Sequence, residues 1–246
     1  MRRVVVITGG GAGLGRSLAR RFAESGDRVV LLGRTLAKVE DVARSLQGDA
    51  LALECDVGSP ESVESAFAEI GRQCGRIDIL INNAATYDPF FVADGRNDQI
   101  MVPTLTNFAG PIFTCRAAIP MMARGSYILN ISSESVVLNY PMLSLYQSTK
   151  AGMERFSESL AKELKPQGIR VSVVRAGAMY DEDSTSPPGW DSQAARTFGE
   201  LCGKAGIDLR GRPTSHFRSV AEVVHGLTQL PADVTMPLVQ LDGFKT

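Results

Sequence analysis

Val4-Val5-Val6-Ile7-Thr8-Gly9-Gly10-Gly11-Ala12-Gly13-Leu14-Gly15 passes from a continuous β-branched run into glycines within one short segment. A strand apolar at every position, not at alternate ones, is the pattern of burial on both faces of a parallel sheet. Glycines at 9, 13 and 15 let the backbone turn tightly and come close to a pyrophosphate. Leu14, Leu18 and Phe22 then recur at helical spacing until Gly26 stops the pattern. The start of such a helix presents N–H groups without intrahelical partners to an anion. Strand, glycine turn and helix in that order predict a dinucleotide site, although the spacing is G-x-x-x-G-x-G and not the commoner G-x-G-x-x-G.

Outward from this segment the alternation continues. Arg28 to Leu32 reads as a strand ending at Gly33-Arg34. An NAD site usually carries Asp or Glu at this point to hold the ribose 2′-hydroxyl. Gly33 and Arg34 leave no carboxylate to repel a 2′-phosphate, and a guanidinium can hydrogen-bond that phosphate as a fork. NADP(H) is therefore favoured over NAD(H), with a solvated, helix-leading Arg34 as the plain alternative. Leu36 to Leu46 is helical, Ala50 to Cys55 is a strand ending in Asp56, and Pro60 to Cys74 is a helix with proline in its first turn. Ile77 to Ile81 is a strand followed by Asn82-Asn83-Ala84-Ala85. Residues 98–122 are mainly helical, interrupted near Pro103 and Pro111, and carry Asn107. Strand 127–131 runs on to Ser133; helix 146–164, strand 169–174, a loop-rich stretch over 176–217, helix 219–229 and strand 238–241 close the pattern.

Seven strands alternating with helices predict one α/β domain over residues 1–246: a Rossmann-like, doubly wound fold with a seven-stranded parallel sheet and helices on both faces. Gly9 to Gly15, Arg34, Asp56, Asn82 and Ser133 all follow the carboxyl ends of strands, where such sheets bind ligands. Composition adds exclusions. A net charge of −1 gives no sign of nucleic acid or of a membrane surface, and no run approaches the ~20 apolar residues of a membrane helix. The four cysteines are scattered without metal spacing, so no metal is expected and a reduced, cytoplasmic protein is.

Tyr146 and Lys150 stand four apart on one helix face. An ammonium there is expected to lower the phenol from its usual pKa of about 10, making a better proton donor near neutrality. Ser133, at the end of a buried strand, can hydrogen-bond a substrate oxygen. A Tyr-x-x-x-Lys pair alone means little; on the ligand side of this sheet it means more.

Thr8-Gly9-x-x-x-Gly13-x-Gly15, Asp56, Asn82-Asn83-Ala84, Asn107, Ser133 and Tyr146-x-x-x-Lys150, in that order and spacing, resemble the short-chain dehydrogenase/reductase family along nearly the whole chain. The resemblance implies a tetrad. Tyr146 is its general acid/base, and Ser133 orients the carbonyl oxygen. Lys150 tunes the tyrosine and holds the nicotinamide ribose, and Asn107 supports a water relay to Lys150. It implies Asp56 near the adenine and Asn82 lining the cofactor cleft, with Thr8, Gly11, Leu14, Val57, Asn83, Ala84, Gly177 and Met179 also on the cofactor side. It further implies a homodimer or homotetramer through the helices bearing Asn107 and Tyr146. The activity implied is an NADP-dependent ketoreductase or alcohol dehydrogenase acting on a small carbonyl or alcohol. An NADP-binding sensor or scaffold without catalysis is the alternative, and dehalogenation and enoyl reduction fit the residues less well.

The chain departs from the family pattern in Ala176-Gly177 for Pro-Gly, Asp181 for a threonine, Ala85 for a glycine, and Thr235-Met236 without the usual glycine. Within 176–217, Asp191 or Ser192 can cap a short helix whose Ala195, Phe198 and Cys202 share one face. That face is expected to act as a lid over an apolar, partly aromatic pocket, with Ser135, Tyr140, Trp190 and Phe198 as candidate substrate residues; packing of Phe198 on a neighbouring subunit or on the sheet is the plain alternative. A hydrophobic ketone follows. His216 and His225 are expected to be structural.

Overall fold

The computed structural model describes residues 2–180 and 189–244. Its strands are β1 (Val4–Thr8), β2 (Arg28–Gly33), β3 (Ala50–Glu54), β4 (Ile79–Asn82), β5 (Tyr127–Ser133), β6 (Arg170–Ala176), β7 (Met179–Tyr180), β8 (Ser215–His216) and β9 (Leu238–Leu241). The α-helices are α1 (Gly13–Glu24), α2 (Leu36–Ser45), α3 (Pro60–Cys74), α4 (Asn97–Thr104), α5 (Gly110–Ala118), α6 (Ser135–Leu138), α7 (Ser144–Leu164), α8 (Ser192–Lys204) and α9 (Phe217–Leu227).

Seven strands form one parallel sheet in the order β3-β2-β1-β4-β5-β6-β9. From β1 the chain winds outward through β2 and β3, then returns to β1's other side with β4. That reversal opens a crevice at the carboxyl ends of β1 and β4. The unbroken apolar runs have a direct cause. Val5 and Ile7 pack into one core with Leu18 and Phe22 of α1 and Val224 of α9. Val4 and Val6 pack into a second core with Phe67 of α3 and Leu160 of α7. Alternate side chains thus fill opposite faces, as the pleat requires.

Local signals set the helix ends. Ser59 caps α3 by accepting from the Ser62 N–H, Pro60 occupies its first turn, and Gly75 ends it at φ 73°. Between α4 and α5 the backbone widens into one π-turn, Leu105–Ala109. Pro111 has no N–H to give the carbonyl of Asn107 four residues earlier, and its ring crowds that carbonyl. The widened turn answers both.

The described residues of the stretch 176–217 hold more regular structure than the sequence implied. It holds α8 and a small parallel pair, β7 with β8, joining Met179 to Ser215 and Tyr180 to His216. Asp181 lies outside the described residues. A third, smaller cluster gathers Tyr140, Leu143, Phe198 and Cys202 away from both sheet cores. No helix among the described residues is long and apolar enough to cross a membrane.

Candidate active site

The glycine turn after β1 is built to approach something closely. Gly9 and Gly13 lie at φ 68° and 51°, where side chains are strained. A Cβ on Gly15 would land on the carbonyl oxygen of Gly9 and 2.8 Å from Asn83 Nδ2. Helix α1 has Ala12 at its cap with no side-chain bond, and no acidic residue in its first turn. Its leading N–H groups are left for an anion. Thr8 is buried, and its Oγ1 accepts from the N–H groups of Asn83 and Ala84, both at 3.0 Å. Asn83 Nδ2 donates to the Thr8 carbonyl at 3.0 Å. These bonds stitch the ends of β1 and β4 together at the crevice.

Beside the turn, a cavity of about 120 Å³ is lined by Gly9, Gly33, Arg34, Val57, Ala84 and Thr106. Arg34 is exposed at its rim, and Asp56 holds the adjoining turn by accepting from the Gly58 N–H at 2.9 Å. The glycine cradle, the uncapped helix start and this side cavity fit a phosphorylated dinucleotide. Asn82 does not line the cleft. Its side chain is buried, donating to Asn130 Oδ1 at 2.8 Å and accepting from Thr114 at 2.6 Å. It braces β4 against β5 and α5, and the next residue, Asn83, faces the cleft. Gly15→Ala is expected to lower stability by about 1–3 kcal/mol, because the added methyl meets the Gly9 backbone, which cannot yield as a side chain can. Thermal melting of the variant checks this; an unchanged midpoint would mean that the turn is not close-packed.

Three members of the predicted tetrad, Ser133, Tyr146 and Lys150, converge on one cavity. Ser133 leaves β5, Tyr146 and Lys150 project from successive turns of α7, and Lys150 Nζ lies 6.0 Å from the Tyr146 ring centre. Lys150 is buried and donates to the Ile131 carbonyl at 2.8 Å, which fixes its ammonium beside the end of β5. Burial lowers its pKa to about 8, against the pull of Glu154 one turn on. Glu154 is itself held by Arg175 at 2.6 Å and Ser132 at 2.5 Å.

Tyr146 departs from expectation. Its pKa is raised, chiefly by burial, while a hydrogen bond to Ser133 pulls the other way and Tyr87 and Glu134 add to the rise. In the protein alone, desolvation outweighs the hydrogen bond to Ser133. Asn107 is fully buried, accepts from the Thr86 N–H at 2.8 Å, donates to the Thr86 carbonyl at 2.8 Å and reaches Thr149 at 3.4 Å. Its amide is engaged at both ends. The main-chain carbonyl, deprived of its usual partner by Pro111, is what it has left to offer.

A cavity of about 520 Å³ runs from Gly13, Leu14 and Gly177 past Ser133, Tyr146 and Lys150. Tyr87, Tyr140, Trp190 and Phe198 form its aromatic wall. Tyr87 stacks 4.8 Å from Tyr146, and Trp190 donates its indole N–H to the Tyr87 carbonyl at 3.0 Å. All four candidate substrate residues, Ser135 included, line this one space. Met179 and Phe217 close the end nearest the glycine turn, where the Phe217 ring comes within 3.6 Å of a Cβ placed on Gly13.

The wall is not purely apolar, as the sequence had suggested. Arg212, from the loop after α8, bonds both Glu134 and the Tyr140 hydroxyl. Burial raises the Glu134 pKa to about 7, with Asp242 adding to the rise, and lowers that of Arg212. From sequence Glu134 fits a substrate contact and ordinary loop polarity equally well, and Arg212 stands 78 positions away from it. No local pattern joins them. His216 caps α9 by accepting from the Arg218 N–H at 3.0 Å, and His225 packs on Phe22, so both are structural.

Comparison with known proteins bears on the whole arrangement. The sequence profile of the short chain dehydrogenase family matches residues 3–186. A carbonyl reductase family member 4 of Danio rerio is 35% identical over 184 residues, covering 74% of this chain and 78% of that protein. A 3-oxoacyl-[acyl-carrier-protein] reductase of Bos taurus is 35% identical over 185 residues, with the same shares of 74% and 78%. In structure, a short-chain dehydrogenase from Streptomyces avermitilis superposes with a TM-score of 0.86 at 26% identity, covering 98% of this chain and 88% of that one. A short chain dehydrogenase from Burkholderia cenocepacia, crystallised with NADP, superposes at 0.81 and 24% identity over 98% and 96%, a likeness of fold.

Proposed function

This chain belongs to the short chain dehydrogenase family, and from that premise we propose that it is an NADP(H)-dependent carbonyl reductase, with Tyr146 as general acid and base. One observation carries the reading: Ser133, Tyr146 and Lys150 meet on the wall of a cavity that continues to the glycine turn. NADPH, which the glycine turn and Arg34 would hold, would supply a hydride to the carbonyl carbon. The substrate oxygen accepts hydrogen bonds from the Ser133 and Tyr146 hydroxyls. As that oxygen gains negative charge, it becomes a far stronger base than phenolate, so the proton on Tyr146 moves to it. A raised tyrosine pKa suits this task, since the phenol keeps its proton until the alkoxide forms. Lys150, anchored on Ile131, faces the phenolate left behind and lowers its energy. The Asn107 carbonyl is the group we assign to a water relay that returns the proton through Lys150.

Titration of the melting temperature with NADP and NAD, followed by a carbonyl panel read at the NADPH absorbance, tests the proposal. No turnover with any aldehyde or ketone would refute it.

Arg34 is the proposed determinant of cofactor choice. A carboxylate at Gly33 would press its Cβ to 2.8 Å from Val39 Cγ1, so the clean test is Arg34→Ala. Losing a charge-assisted contact costs about 1.5–3 kcal/mol, roughly one to two decades in NADP affinity. NAD affinity is expected to hold. Equal losses for both cofactors would take the 2′-phosphate away from Arg34.

A further inference from the structure

Behind the cavity, and outside its lining, lies an ion pair that the mechanism above does not use. Glu154 stands on α7 one turn beyond Lys150, and Arg175 stands on β6. Their side chains are 12% and 13% exposed. Arg175 holds both carboxylate oxygens, Nη2 donating to Oε2 at 2.6 Å and Nε to Oε1 at 3.1 Å. Ser132 of β5 donates to the same Oε1 at 2.5 Å. As a source of stability alone such a pair is a poor choice, since apolar residues of similar volume serve as well. Its place behind the site gives it another use.

Ser132 and Arg175 face each other across the β5–β6 pairing. Ser132 also separates two parts of the site, the Ile131 carbonyl that anchors Lys150 at 2.8 Å and Ser133 itself. One face of α7 follows this end of β5 through three polar contacts. Ser157 accepts from Asn130 at 2.8 Å, Lys150 donates to Ile131, and Glu154 accepts from Ser132. The last stands next to Ser133 in the chain. Among the described residues, the charges on elements packed against Lys150 are few. On α7 they are Glu154 and the Tyr146 phenol, while β5 presents a carbonyl and hydroxyls. Arg175 of β6 is taken by Glu154, Asp98 of α4 by Arg96, and Glu134 acts on Tyr146. Glu154 is the carboxylate that opposes burial at Lys150.

Resting on the carbonyl-reductase reading, we propose that Glu154 is a positioning residue of the reaction: through Ser132 it fixes the end of β5, and with it the anchor of Lys150 and the hydroxyl of Ser133. It lies outside the cavity and acts through its neighbours. Its negative charge also favours the ammonium form of Lys150, the form that faces the phenolate left on Tyr146. Reduction should therefore fall as pH rises through the Lys150 pKa of about 8. Loss of the Glu154 charge leaves burial unopposed and moves that fall to lower pH.

Ser132→Ala breaks the link while the Glu154–Arg175 pair stays, and Ser132→Thr keeps the hydroxyl. Glu154→Gln keeps an acceptor for Ser132 and removes the charge. Reduction of 4-nitrobenzaldehyde by NADPH is followed across pH in each variant. The ionisation of Lys150, one of six lysines, is read from the ¹³C signal of labelled lysine, assigned by its loss in Lys150→Arg. Ser132→Ala is expected to lower kcat by about tenfold with little change in KM, inside the ~10²-fold that about 1 Å of misplacement costs. Ser132→Thr should restore it. In Glu154→Gln the Lys150 titration and the fall in rate should move together to lower pH by about half a unit or more, as for a charge one helical turn away. Variants that melt lower yet keep the wild-type kcat and Lys150 titration would make the pair a structural staple and overturn the inference, with the reductase reading intact. A wild type that binds NADP⁺ but reduces no carbonyl would end the reductase reading. The Lys150 signal in Glu154→Gln would still decide this inference, moved in support or unmoved against it.

Discussion

Tyr146→Phe is expected to lower kcat by about 10²–10⁴-fold, the range that a positioned proton donor contributes. The substitution removes only the hydroxyl. The ring stays against Tyr87 at 4.8 Å, so packing and the shape of the cavity are kept. Melting temperature and NADPH affinity should therefore match the wild type. This separates a lost proton from a lost fold. Activity within a factor of about two of wild type would mean that another group protonates the substrate. Glu134 would then be the first suspect, because burial leaves it with a pKa near 7 in the same cavity.

Phe198→Ala is expected to raise KM by about tenfold or more, which corresponds to ~1.4 kcal/mol of binding. Phe198 is 6% exposed and packs edge-on to Trp190 at 5.5 Å and near Tyr140 at 6.1 Å. Truncating a buried phenylalanine costs about 3–5 kcal/mol. That loss falls on the third cluster, which is separate from the two cores flanking the sheet. A region cannot lose more than its own local stability before it opens, so α8 should detach while the sheet holds. We therefore expect faster hydrogen exchange in α8 with a small change in the global melting temperature. A large drop in melting temperature with unchanged KM would assign α8 to the core and remove the lid.

The sheet was legible in the sequence because its central strands β1, β2 and β4 carry unbroken apolar runs that end in a turn residue or a polar one. Val4 to Thr8 and Arg28 to Gly33 need no partner to be recognised; their composition already states burial on both sides. The candidate catalytic residues were legible for another reason: Ser133, Tyr146 and Lys150 stand at the spacing of the family pattern that the chain resembles. Legibility failed where contacts join distant, unremarkable residues. Arg212 and Glu134 meet across the cavity although neither stands in a pattern. Asn82 misled because its neighbours carry the family motif, while its own amide is consumed between Asn130 and Thr114. The tyrosine pKa is not legible in the sequence, because charge spacing can be read along a helix whereas desolvation comes from the whole surroundings.

The widened turn at Leu105–Ala109 makes chain length itself a component of the site. A π-turn is in effect an α-helix carrying one inserted residue. Each helical residue advances by about 100°, from 3.6 residues per turn. Deleting one position from this turn would restore a regular helix and swing one flank by that angle relative to the other. Asn107 would lose its clamp on Thr86, or α5 its seat beneath the sheet, with every remaining side chain unaltered. An alignment gap in these few positions thus carries more chemical consequence than most substitutions elsewhere in α4 or α5.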